Sequence, residues 1–94
     1  MRFGNYELAK GKHRRNEQWM AHFPNGYGAS VIRGTYTYGG DKGLWEVGVI
    51  EGGEKDWWLT YDTPITEDVL GHLSESEVAD LLARIEALPA RGAK

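Results

Sequence analysis

The segment Leu73–Pro89 constrains this fold more than any other. Ser74 followed by Glu77 makes a capping box, and Leu73 and Val78 stand where a hydrophobic staple needs them. Val78, Leu81, Leu82, Ile85 and Leu88 then recur as one apolar stripe, and Pro89 cannot continue the helix. A single helix of this length draws its stability from whatever covers that stripe. The rest of the chain reads as strands, so the cover is a sheet.

The longest strand signal runs from Gly43 to Tyr61. Two β-branched and aromatic runs, Leu44–Ile50 and Trp57–Tyr61, flank the polar, glycine-bearing turn Glu51–Asp56. Trp45, Val47 and Val49 share one face and belong under the helix. Trp57, Leu59 and Tyr61 are in register with one another and are assigned to the same covered face, which sends Trp58 to the open one. A second hairpin joins Gln18–Phe23 to Tyr27–Arg33 through Pro24-Asn25-Gly26, where proline presets one corner and Asn-Gly tolerates the positive φ of the next. The returning strand carries Gly28, Ala29 and Ser30, small enough for a ring or a ligand to approach the backbone.

Phe3–Ala9 is a short candidate strand, and Lys10–Asn16 a basic loop. Gly34–Gly43 is a loop with four glycines and two tyrosines. Thr66 can cap a single helical turn, Glu67–Leu70, which Gly71 closes. The expected architecture is α+β: an antiparallel sheet of four or five strands with the C-terminal helix packed on one face, two layers in all. With 94 residues the chain is one domain.

Composition removes several function classes. There is no cysteine, which excludes disulfides and thiolate metal sites. His13, His22 and His72 lack ligand spacing, so neither a metal nor another cofactor is expected. The N-terminus has no apolar signal region, and no apolar run approaches the ~18 residues of a membrane span, so a cytoplasmic protein is expected. No nucleophile elbow surrounds Ser30, and Ser74 is used as a cap. Asp62, Glu67 and Asp68 are explained by a turn and a helix start, so the chain is read as a non-enzyme. Gly39-Gly40-Asp41-Lys42-Gly43 precedes a strand, not a helix, and is not a phosphate-binding loop of the Walker kind.

Met1–Arg33 holds six Lys/Arg against two Asp/Glu, and Gly34–Lys94 holds five against twelve. Lys10, Lys12, Arg14 and Arg15 have the charge for nucleic-acid phosphates, but they are poorly interleaved with aromatics and the chain is acidic overall. Eleven aromatics exceed what one helix face can cover. Trp19, Trp45 and Trp57 are assigned to the core. Tyr36, Tyr38 and Trp58, with Lys42 at the rim, are the expected recognition surface, because exposed aromatics dominate contact energy.

From Asn25 the chain reads Asn-Gly-Tyr-Gly-Ala-Ser-Val, then Thr-Tyr-Gly-Gly-Asp-Lys-Gly-Leu-Trp-Glu-Val. Further on it reads Tyr-Asp-Thr-Pro-Ile-Thr-Glu-Asp-Val-Leu-Gly-His-Leu-Ser-Glu-Ser-Glu-Val. Over Asn25–Leu88, about two-thirds of the chain, it resembles small uncharacterised proteins of actinobacterial tailed phages and prophages. That resemblance transfers no functional residue. It implies a setting, that of a small accessory protein in a bacterial host, active in host takeover or counter-defence. The first functional expectation is therefore a non-enzymatic protein that binds a host macromolecule, most simply a host protein. The alternative is a binder of a small nucleotide-type ligand, using the Gly34–Gly43 loop for stacking and Lys42 for phosphate. Nucleic-acid binding ranks third and catalysis fourth.

Replacing Ser74 by alanine removes the cap and is expected to cost about 1 kcal/mol. An unchanged urea midpoint would show that the helix begins elsewhere.

Overall fold

The computed structural model describes residues 1–65 and 69–91. The chain opens with three two-residue strands, β1 (Arg2–Phe3), β2 (Tyr6–Glu7) and β3 (Ala9–Lys10). One strand over Phe3–Ala9 does not form. Gly4 turns the chain at φ 59°, and a Cβ there would lie 2.9 Å from that of Ala79 on the helix. The turn drives Phe3 into the core, where its ring meets Trp45 edge-on at 5.1 Å.

β4 (Glu17–His22) and β5 (Tyr27–Arg33) form the expected hairpin, and β6 (Trp45–Gly52) pairs along β5. β7 (Trp57–Leu59) returns on β6 with Ile50 opposite Leu59, Glu51 opposite Trp58 and Gly52 opposite Trp57. β8 (Leu70–Leu73) occupies the other end of that same edge, with Trp45 opposite Leu73 and Val47 opposite Leu70. The main sheet therefore runs β3-β4-β5-β6, with β7 and β8 end to end beyond β6, all antiparallel. β1 and β2 form a separate small ribbon.

The helical turn expected over Glu67–Leu70 falls partly on Thr66, Glu67 and Asp68, outside the described residues. Its end is overturned: Leu70 and Gly71 are strand. The edge of β6 presents backbone donors and acceptors that need partners, and β8 supplies them. Its three-residue step against two on β6 is a bulge, in which His72 takes φ 58°.

Helix α1 (Glu75–Glu86) has Ser74 as N-cap, with both bonds of the capping box formed. Val78, Leu81, Leu82 and Ile85 are buried against Ala29, Val31, Trp45, Val47 and Val49, with Phe3, Leu8 and Ala21 completing the core. Each of the buried Val, Leu, Ile and Phe side chains contributes roughly 1.5–3 kcal/mol on leaving water. On the helix-side surface the Trp19 indole N–H donates to the Glu17 carboxylate at 2.8 Å, and the Arg33 guanidinium donates to it at 3.0 Å. Both hold the Glu17 carboxyl below its ordinary 4.5.

The far end of α1 lacks a glycine cap; Ala87 stays in the right-handed region. The β4–β5 turn does the work instead. Asn25 Nδ2 lies 2.9 Å from the Ile85 carbonyl and 3.1 Å from those of Glu86 and Leu88, while Asn25 Oδ1 accepts from the Tyr27 N–H at 3.0 Å. The Arg91 N–H donates to the Asn25 carbonyl at 2.8 Å. One turn residue thus satisfies carbonyls that a helix end leaves open.

Asn25→Ala is expected to cost about 1–3 kcal/mol, because those carbonyls lose a donor in a half-buried place. Asn25→Asp should cost at least as much. It keeps the acceptor for Tyr27, loses the donor, and sets a negative charge at the negative end of the helix. Urea denaturation of the two variants checks the order; a mild Asn25→Asp beside a damaging Asn25→Ala would contradict it.

Candidate functional site

Alternation along the strands gives the sheet a second face, turned away from α1. β4 sends Gln18, Met20 and His22 there, β5 sends Gly28, Ser30 and Ile32, and β6 sends Glu46, Gly48 and Ile50. Directly opposed residues of an antiparallel pair point the same way. Leu59 faces Ile50 and Trp57 faces Gly52, so both belong to this second face. Trp58 faces Glu51 and belongs to the helix side.

That reverses the sequence-based assignment of β7. Trp57 and Leu59 do not lie under the helix, and Trp57 is not part of the core. Trp58 does not lie on the open face. It remains 45% exposed, and the Arg91 guanidinium sits 5.1 Å from its ring centroid. Arg91 also pairs with Glu51 at 3.1 Å.

The second face is a cleft with a polar floor. Gln18 and Ser30 are diagonal neighbours on β4 and β5, only 6% and 8% exposed, and Gln18 Nε2 donates to Ser30 Oγ at 3.0 Å. A buried amide is stable when it is hydrogen-bonded, and this contact satisfies one end of it. Met20 lies beside them, also buried. The segment after β3 folds over as one wall. Gly11 permits this, since a Cβ there would collide with the Gln18 amide. The β6–β7 turn, through Glu54, Lys55 and Trp57, forms the opposite wall.

Between the walls is an open hollow of about 710 Å³. A smaller one of about 140 Å³ adjoins it, and the two share His13, Gln18 and Trp57. Lys10, Lys12 and Lys55 line the larger hollow against a single carboxylate, Glu54. None of the three lysines is in an ion pair with another described residue. Ile32, Leu59 and Val69 make the sides of the smaller hollow, Ser30 and Glu46 bring polar groups to it, and the missing side chain of Gly48 makes room for that of Leu59. The site is therefore polarised, cationic at its wide mouth and acceptor-bearing at its narrow end.

His13 Nδ1 accepts from the Arg15 and Asn16 N–H groups, both at 3.3 Å. His22 Nδ1, on the wall of the larger hollow, is buried without a hydrogen-bond partner among the described residues. Among the described residues no group of three or more His, Asp or Glu could hold a metal, and no helix is long and apolar enough to cross a membrane.

The four expected recognition residues do not form one surface. Tyr36 and Tyr38 are 91% and 62% exposed, and Lys42 is exposed in the 3-10 turn Gly40–Lys42 of the same loop. That loop is fastened near the start of β6: the Tyr38 N–H donates to Glu46 at 3.1 Å, and its carbonyl accepts from the His72 N–H at 2.9 Å. Trp58 pairs with Glu51, five residues further along β6, about 17 Å at strand rise, and on the helix side. Neither of these two hollows is lined by Tyr36, Tyr38 or Lys42. The residues that do line one were partly signalled. Gln18, Met20 and His22 share a strand face, and Ser30 sits among small neighbours. Nothing local indicated that residues 11–13 fold over them.

No family model, curated protein or solved structure matches this chain.

Because both loop tyrosines project into solvent, Tyr36→Ala/Tyr38→Ala is expected to change stability by no more than about 0.5 kcal/mol per site. Thermal melting checks it; a collapse of the melting temperature would show that the rings brace the loop against β8.

Proposed function

We propose that this protein works by binding, and that the cleft opposite the helix holds a small anionic organic ligand. The observation that carries this reading is the pairing of unneutralised lysines on opposite walls, Lys12 and Lys55, with Trp57 and a buried, hydrogen-bonded Gln18–Ser30 floor. The larger hollow falls within the roughly 300–1,000 Å³ usual for small-molecule sites. Lysines on loops supply charge that reaches an anion, and an indole supplies apolar area at little entropic cost.

A macromolecular partner is a second reading, favoured by the exposure of Tyr36 and Tyr38 on the loop beside β8. It fits the setting that the phage-protein resemblance implies, in which the chain would dock on a host protein. The two readings use different side chains and are separable by mutation.

An anionic aromatic reporter, anilinonaphthalene sulfonate, is expected to bind the native protein in the cleft and to bind less tightly as salt rises. Lys12→Glu/Lys55→Glu should weaken it at least tenfold, about 1.4 kcal/mol, with an unchanged melting temperature. The tyrosine double variant should bind it as wild type does. Equal affinity in wild type and the lysine double variant would remove the cleft as the site.

A further inference from the structure

The smaller hollow restricts the ligand more than the larger one does, provided that the cleft is the binding site. Its volume, about 140 Å³, is close to the ~150 Å³ of an engineered protein cavity that accepts one benzene ring. Its sides are apolar and flat-ring-compatible: Trp57, Ile32 and Leu59. Its polar groups are of both kinds. The Gln18 amide and the Ser30 hydroxyl can donate or accept, and Glu46 has one carboxylate oxygen engaged by the Tyr38 N–H and a second to offer. An unsubstituted phenyl ring would leave these groups without partners, at the cost that attaches to any desolvated polar atom. A ring whose edge carries both N–H donors and carbonyl acceptors would pair them. A carboxylate accepting from an exocyclic amine or ring N–H is an established way to read such an edge. The charge order along the cleft adds the other half of the ligand. The acceptor-rich narrow end passes His13 and Trp57 and opens between Lys12 and Lys55, where an anionic group would sit.

We infer that the cleft is built for a pyrimidine nucleotide, with the single-ring base in the smaller hollow against Trp57 and the phosphate between Lys12 and Lys55. This assignment rests on the cleft being the site proposed above. The base edge meets Gln18, Ser30 and Glu46. A purine exceeds a one-ring hollow, so the site discriminates by size as well as by hydrogen bonding.

Titrations followed by tryptophan fluorescence, with calorimetry for affinity, use UMP, CMP, AMP, GMP, ribose 5-phosphate and phenyl phosphate. UMP or CMP should bind at least tenfold more tightly than ribose 5-phosphate and phenyl phosphate, and more tightly than either purine nucleotide. Glu46→Gln keeps an oxygen for the Tyr38 N–H but replaces the free acceptor by a donor. It should weaken the pyrimidine nucleotides at least fivefold and leave ribose 5-phosphate unchanged. Lys12→Glu/Lys55→Glu should weaken all phosphate compounds alike. If the sulfonate reporter binds but the pyrimidine nucleotides bind no better than ribose 5-phosphate, the base assignment is overturned while the cleft stands. Purine nucleotides binding as tightly as pyrimidine ones would overturn the size argument. If neither the reporter nor any phosphate compound binds, the cleft itself is refuted and this inference with it.

Discussion

A lone helix can cover one face of one sheet, and the rest of this molecule is shaped by that limit. The stripe Val78, Leu81, Leu82, Ile85 is fully used on Val31, Trp45, Val47 and Val49. Nothing of similar size is left for the opposite face. In an antiparallel sheet such a face can simply be solvated. Here it is only half so: Ile50, Met20, Gln18 and Ser30 are buried on it, by contributions from the sheet's own margins. Residues 11–13 come over from one edge and the Trp57–Leu59 strand from the other. What they leave between them is the cleft.

The same economy governs the helix end. A C-terminal glycine would have closed α1 locally, but Ala87 stands there and the carbonyls of Ile85, Glu86 and Leu88 converge on Asn25. The turn that makes the β4–β5 hairpin therefore also sets where the helix stops. Arg91 then lies beyond Gly26 and reaches Glu51 and the Trp58 ring. That chain of contacts occupies Trp58 on the helix side and explains why an aromatic with substantial exposure is not available to the other face.

The proposed function follows from the face that the helix leaves uncovered. Along the middle of β5 and β6 it is small or polar at positions alternating with the apolar ones under the helix. Gly28, Ser30 and Gly48 face the cleft, while Ala29, Val31, Val47 and Val49 face α1. A surface meant only to be solvated would not bury an amide and a hydroxyl in mutual contact. Lys12 and Lys55 at its rim lie outside the strands, and the acceptor Glu46 lies on β6, held by the Tyr38 N–H.

Much of the fold was legible in the sequence, because its signals are local. Ser74 and Glu77 begin the helix by hydrogen bonds three residues apart, Pro24-Asn25-Gly26 turns the chain by its own φ preferences, and Trp45, Val47 and Val49 announce a covered face by alternation. The sheet-and-helix architecture comes out of those signals. The site was not legible to the same degree. Tyr36 and Tyr38 were rightly read as exposed. Which face Trp57 and Trp58 take depends on a pairing with Glu51 and Gly52 across a turn, and a one-residue change in that register exchanges them. The β8 edge likewise depends on pairing with Trp45 and Val47, and it overrode a local helical signal at Leu70 and Gly71. Alternation, caps and turns are properties of neighbouring residues, so the sequence alone determines them. The meeting of His13, Gln18 and Trp57 joins three distant parts of the chain across a sheet, and only the tertiary structure, through strand register and the reach of a folded-over loop, decided it.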